Sequence, residues 1–476
     1  MRNKKIVIEN LPVTDYAAEG KALGHLNGKV IFVEAAVPGD VADVLITKNK
    51  KDWAQGKAIR FKEYSKDRVK PFCVHFGICG GCKWQMLPYQ KQLIYKQQEV
   101  EENLKRISKV ELPGVLPIIG ADETVYYRNK LEFTFSNKRY LPPEEFDNLS
   151  PKEGYEIFAE QPDFGRALGY HAPGIFDKII DIQECYLMDG VNNLIRNTIR
   201  NFTVKNNLSY YDIKKHTGWL RNIIIRYSSS GQLMVNLVVG YEDKPALKNI
   251  ADHLLQQVPS INTFLYTINA KWNDSIIDLE PQLYYGSGFI VEQLEDFQFK
   301  ISPKSFFQTN TRQAEKLYSV ARDFAQLTGN EIVYDLYCGT GSIGIFLSKG
   351  AKKIIGVEVN PQAIEDAKEN ALYNKITHAT FFTGDVIGIC IDEFFAVHGR
   401  PDVIITDPPR AGMHEKLMLK LLDIAAPKVV YVSCNTATQA RDISLLSEKY
   451  KVEKIQPVDM FPHTHHIECV CLLVLK

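Results

Sequence analysis

YDLYCGTGSIG, residues 334–344, runs an apolar β-type stretch into a glycine-rich turn and then into a helix. Glycines at such a junction let the backbone approach a ligand closely, and the helix start behind them offers free amides. The acidic Glu358 ends the next β-run, 23 residues after Asp335, where a carboxylate can accept hydrogen bonds from both hydroxyls of a ribose. Gly339, Gly341 and Gly344 also spell G-x-G-x-x-G, so a dinucleotide enzyme is the competing reading at this point. From about residue 310 the same rhythm of strand, helix, strand continues. It passes through KKIIGVEV, a helix from Pro361, ATFFTGDV, DVIITDPP, a helix from 414, KVVYVSCN and a last strand, ECVCLLVLK. This alternation predicts a doubly wound, Rossmann-like parallel α/β sheet. Asn360 followed by Pro361 suits a helix start, because Asn caps free amides and Pro fits the first turn.

Upstream the pattern is different. Residues 5 to about 62 read as short β-runs separated by Gly, Pro and Asp turns, which predicts a small closed barrel of the OB type over 1–64. PYQKQLIYKQQEVEENLKRIS, 88–108, predicts a long helix with Leu93, Val100 and Leu104 on one stripe. Residues 125–300 alternate β-runs such as KLEFTFS and QLMVNLVVGYE with one or two helices, so 65–300 is expected to form an α+β central domain and 301–476 the catalytic one. The polar, Pro-rich stretch 138–166 reads as a surface insertion.

A chain of 476 residues is long enough for about three domains. Hydrophobic content of 45% and charged content of 24% are those of a globular protein and exclude extended disorder. The start, MRNKKIVIEN, has no apolar signal region, and no window approaches 18 uninterrupted apolar residues. No membrane association and a cytoplasmic location are therefore expected. The formal net charge of +0 hides an asymmetry: residues 1–70 hold 14 Lys and Arg against 9 Asp and Glu. Charge of this size fits either a solvated face or a nucleic-acid surface.

PFCVHFGICGGCKWQ places Cys73, Cys79 and Cys82 among glycines that permit sharp turns. Three thiols this close favour metal binding over idle packing, and a fourth ligand would come from Cys185, Cys338, Cys390, Cys469 or Cys471. Spacing alone does not separate zinc from an iron–sulfur cluster. Cys469 and Cys471 lie two apart on one strand and are expected in the core, as are Cys338 and Cys390.

Acidic residues at strand ends together with the Pro-Pro turn after Asp407 resemble the S-adenosylmethionine-dependent methyltransferases. With SPKSFFQTN (302–310), SCNTATQARD (433–442) and PHTHHIE (462–468), the chain as a whole resembles the RNA uracil-5-methyltransferase family, in particular its 23S ribosomal RNA branch. The resemblance implies an N-terminal TRAM domain that binds RNA. It implies that Cys73, Cys79 and Cys82, joined by Cys185 from LGYHAPGIFDKIIDIQECYL, ligate a [4Fe–4S] cluster. It implies that Gln308, Tyr337, Gly339, Glu358, Asp385 and Asp407 contact S-adenosylmethionine, that Cys434 is the nucleophile and that Glu468 is the base. It also suggests that helix 88–108 packs back on the catalytic domain. Thr436 departs from the family, in which proline is common at this place.

The chemistry calls for these residue types. Carbon 5 of uracil is a poor nucleophile, and a thiolate adding to carbon 6 makes carbon 5 electron-rich enough to take a methyl group. The thiol must be at least partly ionised, with backbone amides at the strand-to-turn junction as its expected help. A carboxylate must then remove the extra proton from carbon 5 before sulfur leaves. The target uridine, which the resemblance places in a single-stranded or loop segment of large-subunit ribosomal RNA, is expected to be splayed out. Phe306 and Phe307 could assist by stacking, or be core. A transfer RNA methyltransferase, a dinucleotide-dependent redox protein carrying a cluster and a noncatalytic RNA scaffold are the alternatives. No obligatory protein partner is expected.

Overall fold

The computed structural model describes residues 6–142 and 164–476, so most of the predicted insertion at 138–166 lies outside the described residues. Strands β1 (Val7–Ala17), β2 (Lys21–Leu26), β3 (Lys29–Glu34), β4 (Val41–Asn49) and β5 (Trp53–Glu63) close into a barrel in the order β1-β2-β3-β5-β4. Alternation along these strands turns Leu11, Val13, Ile31, Val33 and Val44 inward to a small apolar core. The turn Ala18–Gly20 projects from the barrel, and a side chain on Gly20 would meet the Cβ of His465 at 2.8 Å. The barrel therefore abuts the segment that leads into the last strand.

A seven-stranded sheet follows, made of β6 (Lys130–Ser136), β7 (Ala167–His171), β8 (Ile179–Asp181), β9 (Leu220–Tyr227), β10 (Leu233–Val239), β11 (Ile261–Ile268) and β12 (Gln282–Tyr285), ordered β12-β11-β10-β9-β6-β7-β8. Helices Val191–Lys205 and Lys244–Gln257 bury Ile195, Ile199, Leu247, Ile250 and Leu254 in the same core. A hairpin of β13 (Ile290–Leu294) and β14 (Phe297–Ile301) comes next. Its inward residues Ile290, Leu294, Phe297, Phe299 and Ile301 share a core with Val333 and Ile354 of the C-terminal sheet and with Ile343 of the helix Ser342–Leu347.

That C-terminal sheet contains β15 (Ile332–Leu336), β16 (Lys353–Glu358), β17 (Ala379–Thr383), β18 (Val403–Thr406), β19 (Lys428–Ser433), β20 (Tyr450–Val458) and β21 (Glu468–Leu475). The order is β17-β16-β15-β18-β19-β21-β20. The first five strands are parallel, as the alternation predicts. The last two correct the expectation of a wholly parallel sheet: β21 lies antiparallel between β19 and β20. No helix separates β20 from β21, so the chain returns directly along its neighbour instead of crossing over.

The helix expected over 88–108 forms as Tyr89–Asn103 and closes with a wider turn, Leu104–Ser108. Val100 and Leu104 join a core with Tyr431, Ala440 and Ile443, whereas Leu93 is only partly covered. Gln92 and Lys96 are buried in its place, held by polar partners more than 360 residues away.

Candidate active site

Backbone geometry builds the glycine-rich turn after β15. Tyr337 sits at φ 62, a left-handed conformation uncommon for a side-chain-bearing residue, and Gly339 and Gly341 follow at φ 53 and 75. A Cβ on Gly341 would lie 2.9 Å from the Phe381 ring, so the glycine is needed for space as well as for its φ. Asp335 Oδ2 accepts from the Gly344 amide at 2.8 Å and ties the strand end to the helix that begins at Ser342. Glu358, at the end of β16, accepts from the amides of Gly339 at 3.3 Å and Asn360 at 3.0 Å. Asn360 caps Gln362, as expected. Tyr337, Glu358 and Asp385 line one cavity of about 60 Å³, with Val386 and Leu417 as its apolar walls.

Gln308 stands on the loop before helix Thr311–Ala325. Asn129 Nδ2 holds the Gln308 carbonyl at 2.9 Å, and Thr340 Oγ1 donates to the neighbouring Phe306 carbonyl at 3.4 Å, so this loop rests against the glycine turn. The aromatic pair divides: Phe307 is buried against Phe299, while Phe306 is 70% exposed. Only Phe306 is free to stack on a ligand.

The carboxyl ends of β18 and β19 present Asp407 and Cys434 at one edge. Because β21 is antiparallel and Ser433 pairs with Cys469, Glu468 falls level with Cys434 on the adjacent strand. Cys434 precedes helix Thr436–Leu446, whose first amides are capped by the Asn435 side chain. A cavity of about 330 Å³ opens over the thiol. Its walls come from the barrel turn (Ala18, Glu19), the long helix (Glu99, Asn103), Arg410, and the His465–His466 pair. Asn103 Nδ2 donates to Thr436 Oγ1 at 2.8 Å, so the hydroxyl at the position where the family favours proline has a defined partner.

Electrostatics here differ from the expected ionised thiol. Burial pushes Cys434 up to about 11, with Glu468 and Asp407 adding to the rise and Arg410 opposing it. Burial also raises Glu468 well above the ordinary carboxylate range, Asp407 pushing the same way and Arg410 the other. Asp335 is pushed up to about 7, chiefly by burial, and its Oδ1 is buried without a hydrogen-bond partner. Three crowded carboxyls and one orphaned oxygen form an environment that a cation would relieve. A sulfonium supplies such a charge, so these residues fit S-adenosylmethionine.

Cys73, Cys79, Cys82 and Cys185 line a single cavity, together with His75 and His463. All four are free thiols, and Cys338, Cys390, Cys469 and Cys471 are buried apart from this cavity. Burial raises Cys79 to about 12 and Cys82 to about 11, with the neighbouring sulfurs adding to each. Among the described residues, no group of three or more His, Cys, Asp or Glu side chains is arranged to hold a single metal ion. The four thiols line one space, a donor set whose chemistry suits a thiolate-bound metal group.

Sequence reasoning did not single out Glu99, Asn103, His463 or the Lys96–Asp459 pair. Lys96 inside an otherwise apolar stripe was the available signal, since a buried charge needs a partner.

The family model described as tRNA (Uracil-5-)-methyltransferase matches residues 280–476, and the TRAM domain model matches 8–59. A protein of Bacteroides thetaiotaomicron named "Uncharacterized RNA methyltransferase" is 49% identical, covering 97% of this chain and 100% of its own. A Porphyromonas gingivalis protein of the same name is 47% identical over 98% and 99%. The crystal structure of Pyrococcus abyssi tRNA (uracil-54, C5)-methyltransferase in complex with S-adenosyl-L-homocysteine is 27% identical, covers 99% of this chain and 100% of that one, and superposes with a TM-score of 0.73. Among the described residues, no helix is long and apolar enough to cross a membrane. With a TRAM barrel at one end and a methyltransferase sheet at the other, the chain belongs to the RNA (uracil-5-)-methyltransferase family.

Proposed function

We propose that this chain transfers a methyl group from S-adenosylmethionine to carbon 5 of a uridine in large-subunit ribosomal RNA, through a covalent bond between Cys434 and carbon 6 of the base. The observation that carries the reading is the strand register that sets Glu468 beside Cys434, whose thiol opens to a cavity of about 330 Å³. S-adenosylmethionine, when bound, supplies an electrophilic methyl group. Tyr337, Gly339, Glu358 and Asp385 would hold its nucleoside, and Gln308 and Asp407 its methionine end. Phe306, exposed on the loop beside the glycine turn, offers a face on which a splayed base can stack.

The chain's own residues then act in sequence. Cys434 gives its proton to solvent and adds to carbon 6, making an enolate whose carbon 5 takes the methyl group as the bond to the sulfonium sulfur breaks and a neutral thioether leaves. Arg410 opposes the rise of the thiol's pKa and so favours the thiolate. Glu468 accepts the proton from carbon 5, and the bond between sulfur and carbon 6 breaks to release 5-methyluridine. Basic residues of the barrel would hold the RNA backbone. Cys73, Cys79, Cys82 and Cys185 would hold a [4Fe–4S] cluster, which would crosslink the loop 73–82 to the central domain.

A second reading, transfer RNA as substrate, is favoured by the Pyrococcus abyssi relative, which matches this chain along its full length. Incubation with deuterium-labelled S-adenosylmethionine, 23S ribosomal RNA transcripts and bulk transfer RNA, followed by mass-spectrometric mapping, distinguishes them. Labelled 5-methyluridine in the ribosomal transcript is expected. Label only in transfer RNA overturns the substrate class, and label in neither overturns the activity.

A further inference from the structure

His463 lies between the cysteine cavity and the catalytic edge, and its two ring nitrogens have different surroundings. Its backbone N–H donates to Gln92 Oε1 at 2.8 Å, which fixes the orientation of that amide. The amide nitrogen then faces His463 Nδ1 at 3.1 Å while also donating to the carbonyls of Trp84 and Leu87. Because an amide NH₂ is a donor and never an acceptor, this contact favours a bare Nδ1, which puts the neutral imidazole's hydrogen on Nε2. That Nε2 is buried and has no hydrogen-bond partner, while the ring lines the cavity formed by the four thiols. A buried N–H left unpaired costs free energy, so an unpartnered donor at a sulfur-lined cavity points to an acceptor bound there.

We propose that His463 Nε2 donates a hydrogen bond to a sulfur of the group held by Cys73, Cys79, Cys82 and Cys185, and that His463 is a positioning residue shared by that group and the catalytic strand. The inference rests on the cluster reading above. His75 repeats the arrangement on the opposite side: its Nε2 faces the Gln183 amide at 3.4 Å, which leaves Nδ1 as the nitrogen facing Cys73 Sγ at 3.9 Å. One histidine nitrogen facing a cysteine sulfur and a second, unpartnered, on the same cavity suit an anionic sulfur cluster, whose sulfurs accept hydrogen bonds. The link to catalysis is through the backbone. The His463 carbonyl accepts from the amides of Lys83 at 2.8 Å and Trp84 at 3.0 Å, directly after Cys82, and Glu468 follows five residues later. The loop that carries Cys82 is thus tied to the segment that delivers the base.

The test compares reconstituted wild type, His463→Gln and His463→Leu for iron and sulfide content and for reduction potential. Glutamine keeps an N–H donor and leucine does not. A hydrogen bond to sulfur stabilises the reduced, more negative state, so H463L should shift the one-electron equilibrium about tenfold, about 59 mV toward lower potential, with H463Q close to wild type. Pulsed double-resonance spectra of reduced wild type labelled with ¹⁵N-histidine should show a histidine nitrogen coupling that diminishes in H463Q, a readout that does not depend on H463L folding. Three loaded proteins with equal potentials, or wild type without the coupling, overturn the role of His463 alone. Wild type that takes up neither iron nor sulfide overturns the cluster reading itself.

Discussion

Replacing Lys96 with methionine tests how the long helix is fastened to the catalytic segment. Lys96 Nζ lies 2.6 Å from Asp459 Oδ1 and 3.2 Å from the Phe461 carbonyl, and both side chains of the ion pair are fully buried. Breaking a buried pair from one side costs about 3–5 kcal/mol, because it strands the other charge. Asp459 keeps the Tyr89 hydroxyl at 2.8 Å and the Phe461 amide at 3.0 Å. These bonds place the expected loss at the lower end, about 3 kcal/mol. Adding Asp459→Asn removes the stranded charge while keeping an acceptor, so the double variant should lose only about 1 kcal/mol relative to wild type. Guanidinium unfolding followed by tryptophan fluorescence reads the difference, since the Trp84 ring lies 5.9 Å from the ammonium. A single variant that loses less than about 1 kcal/mol, or a double variant that loses as much as the single, refutes the argument.

Two further outcomes follow from the site. Gly341→Ala should destabilise the protein by about 1–3 kcal/mol through the φ of 75 and the Phe381 contact, and should abolish S-adenosylmethionine binding by calorimetry; unchanged affinity would contradict the close-approach reading. Because the Cys434 thiol is raised to about 11 and only its thiolate reacts, kcat/KM should climb about tenfold per pH unit between about pH 7 and 9. A flat profile over that window would show that the thiol is already ionised in the free enzyme.

Local chemistry made much of this molecule readable in advance. The alternation of strands with helices, the glycine turn, the Asn360 cap and the four parallel strand ends bearing Tyr337, Glu358, Asp385 and Asp407 all depend on residues near one another in the chain. What escaped depends on long-range pairing. Strand β20 has no place in the strand–helix alternation, and neither has the antiparallel turn of the chain that makes β21 present Glu468 at the catalytic edge. Phe306 and Phe307 are indistinguishable by composition, and only the hairpin β13–β14 decides that Phe307 is core. That hairpin resembles the central strands in composition, yet its apolar face lies in the core of the C-terminal sheet. Lys96 interrupts the apolar stripe of its helix, but nothing near it in the chain names Asp459 as its partner. The expectation of an ionised thiol considered the local amides, and missed the carboxyls that β18 and β21 bring up to it.

The most direct measurement is mass-spectrometric capture of the enzyme on RNA carrying 5-fluorouridine at the modified position, in the presence of S-adenosylmethionine. Fluorine at carbon 5 leaves Glu468 no proton to remove, so a stable adduct containing the methylated base should map to Cys434 and disappear in Cys434→Ala. An adduct on a different residue, or full turnover of ordinary substrate by the alanine variant, would contradict the account.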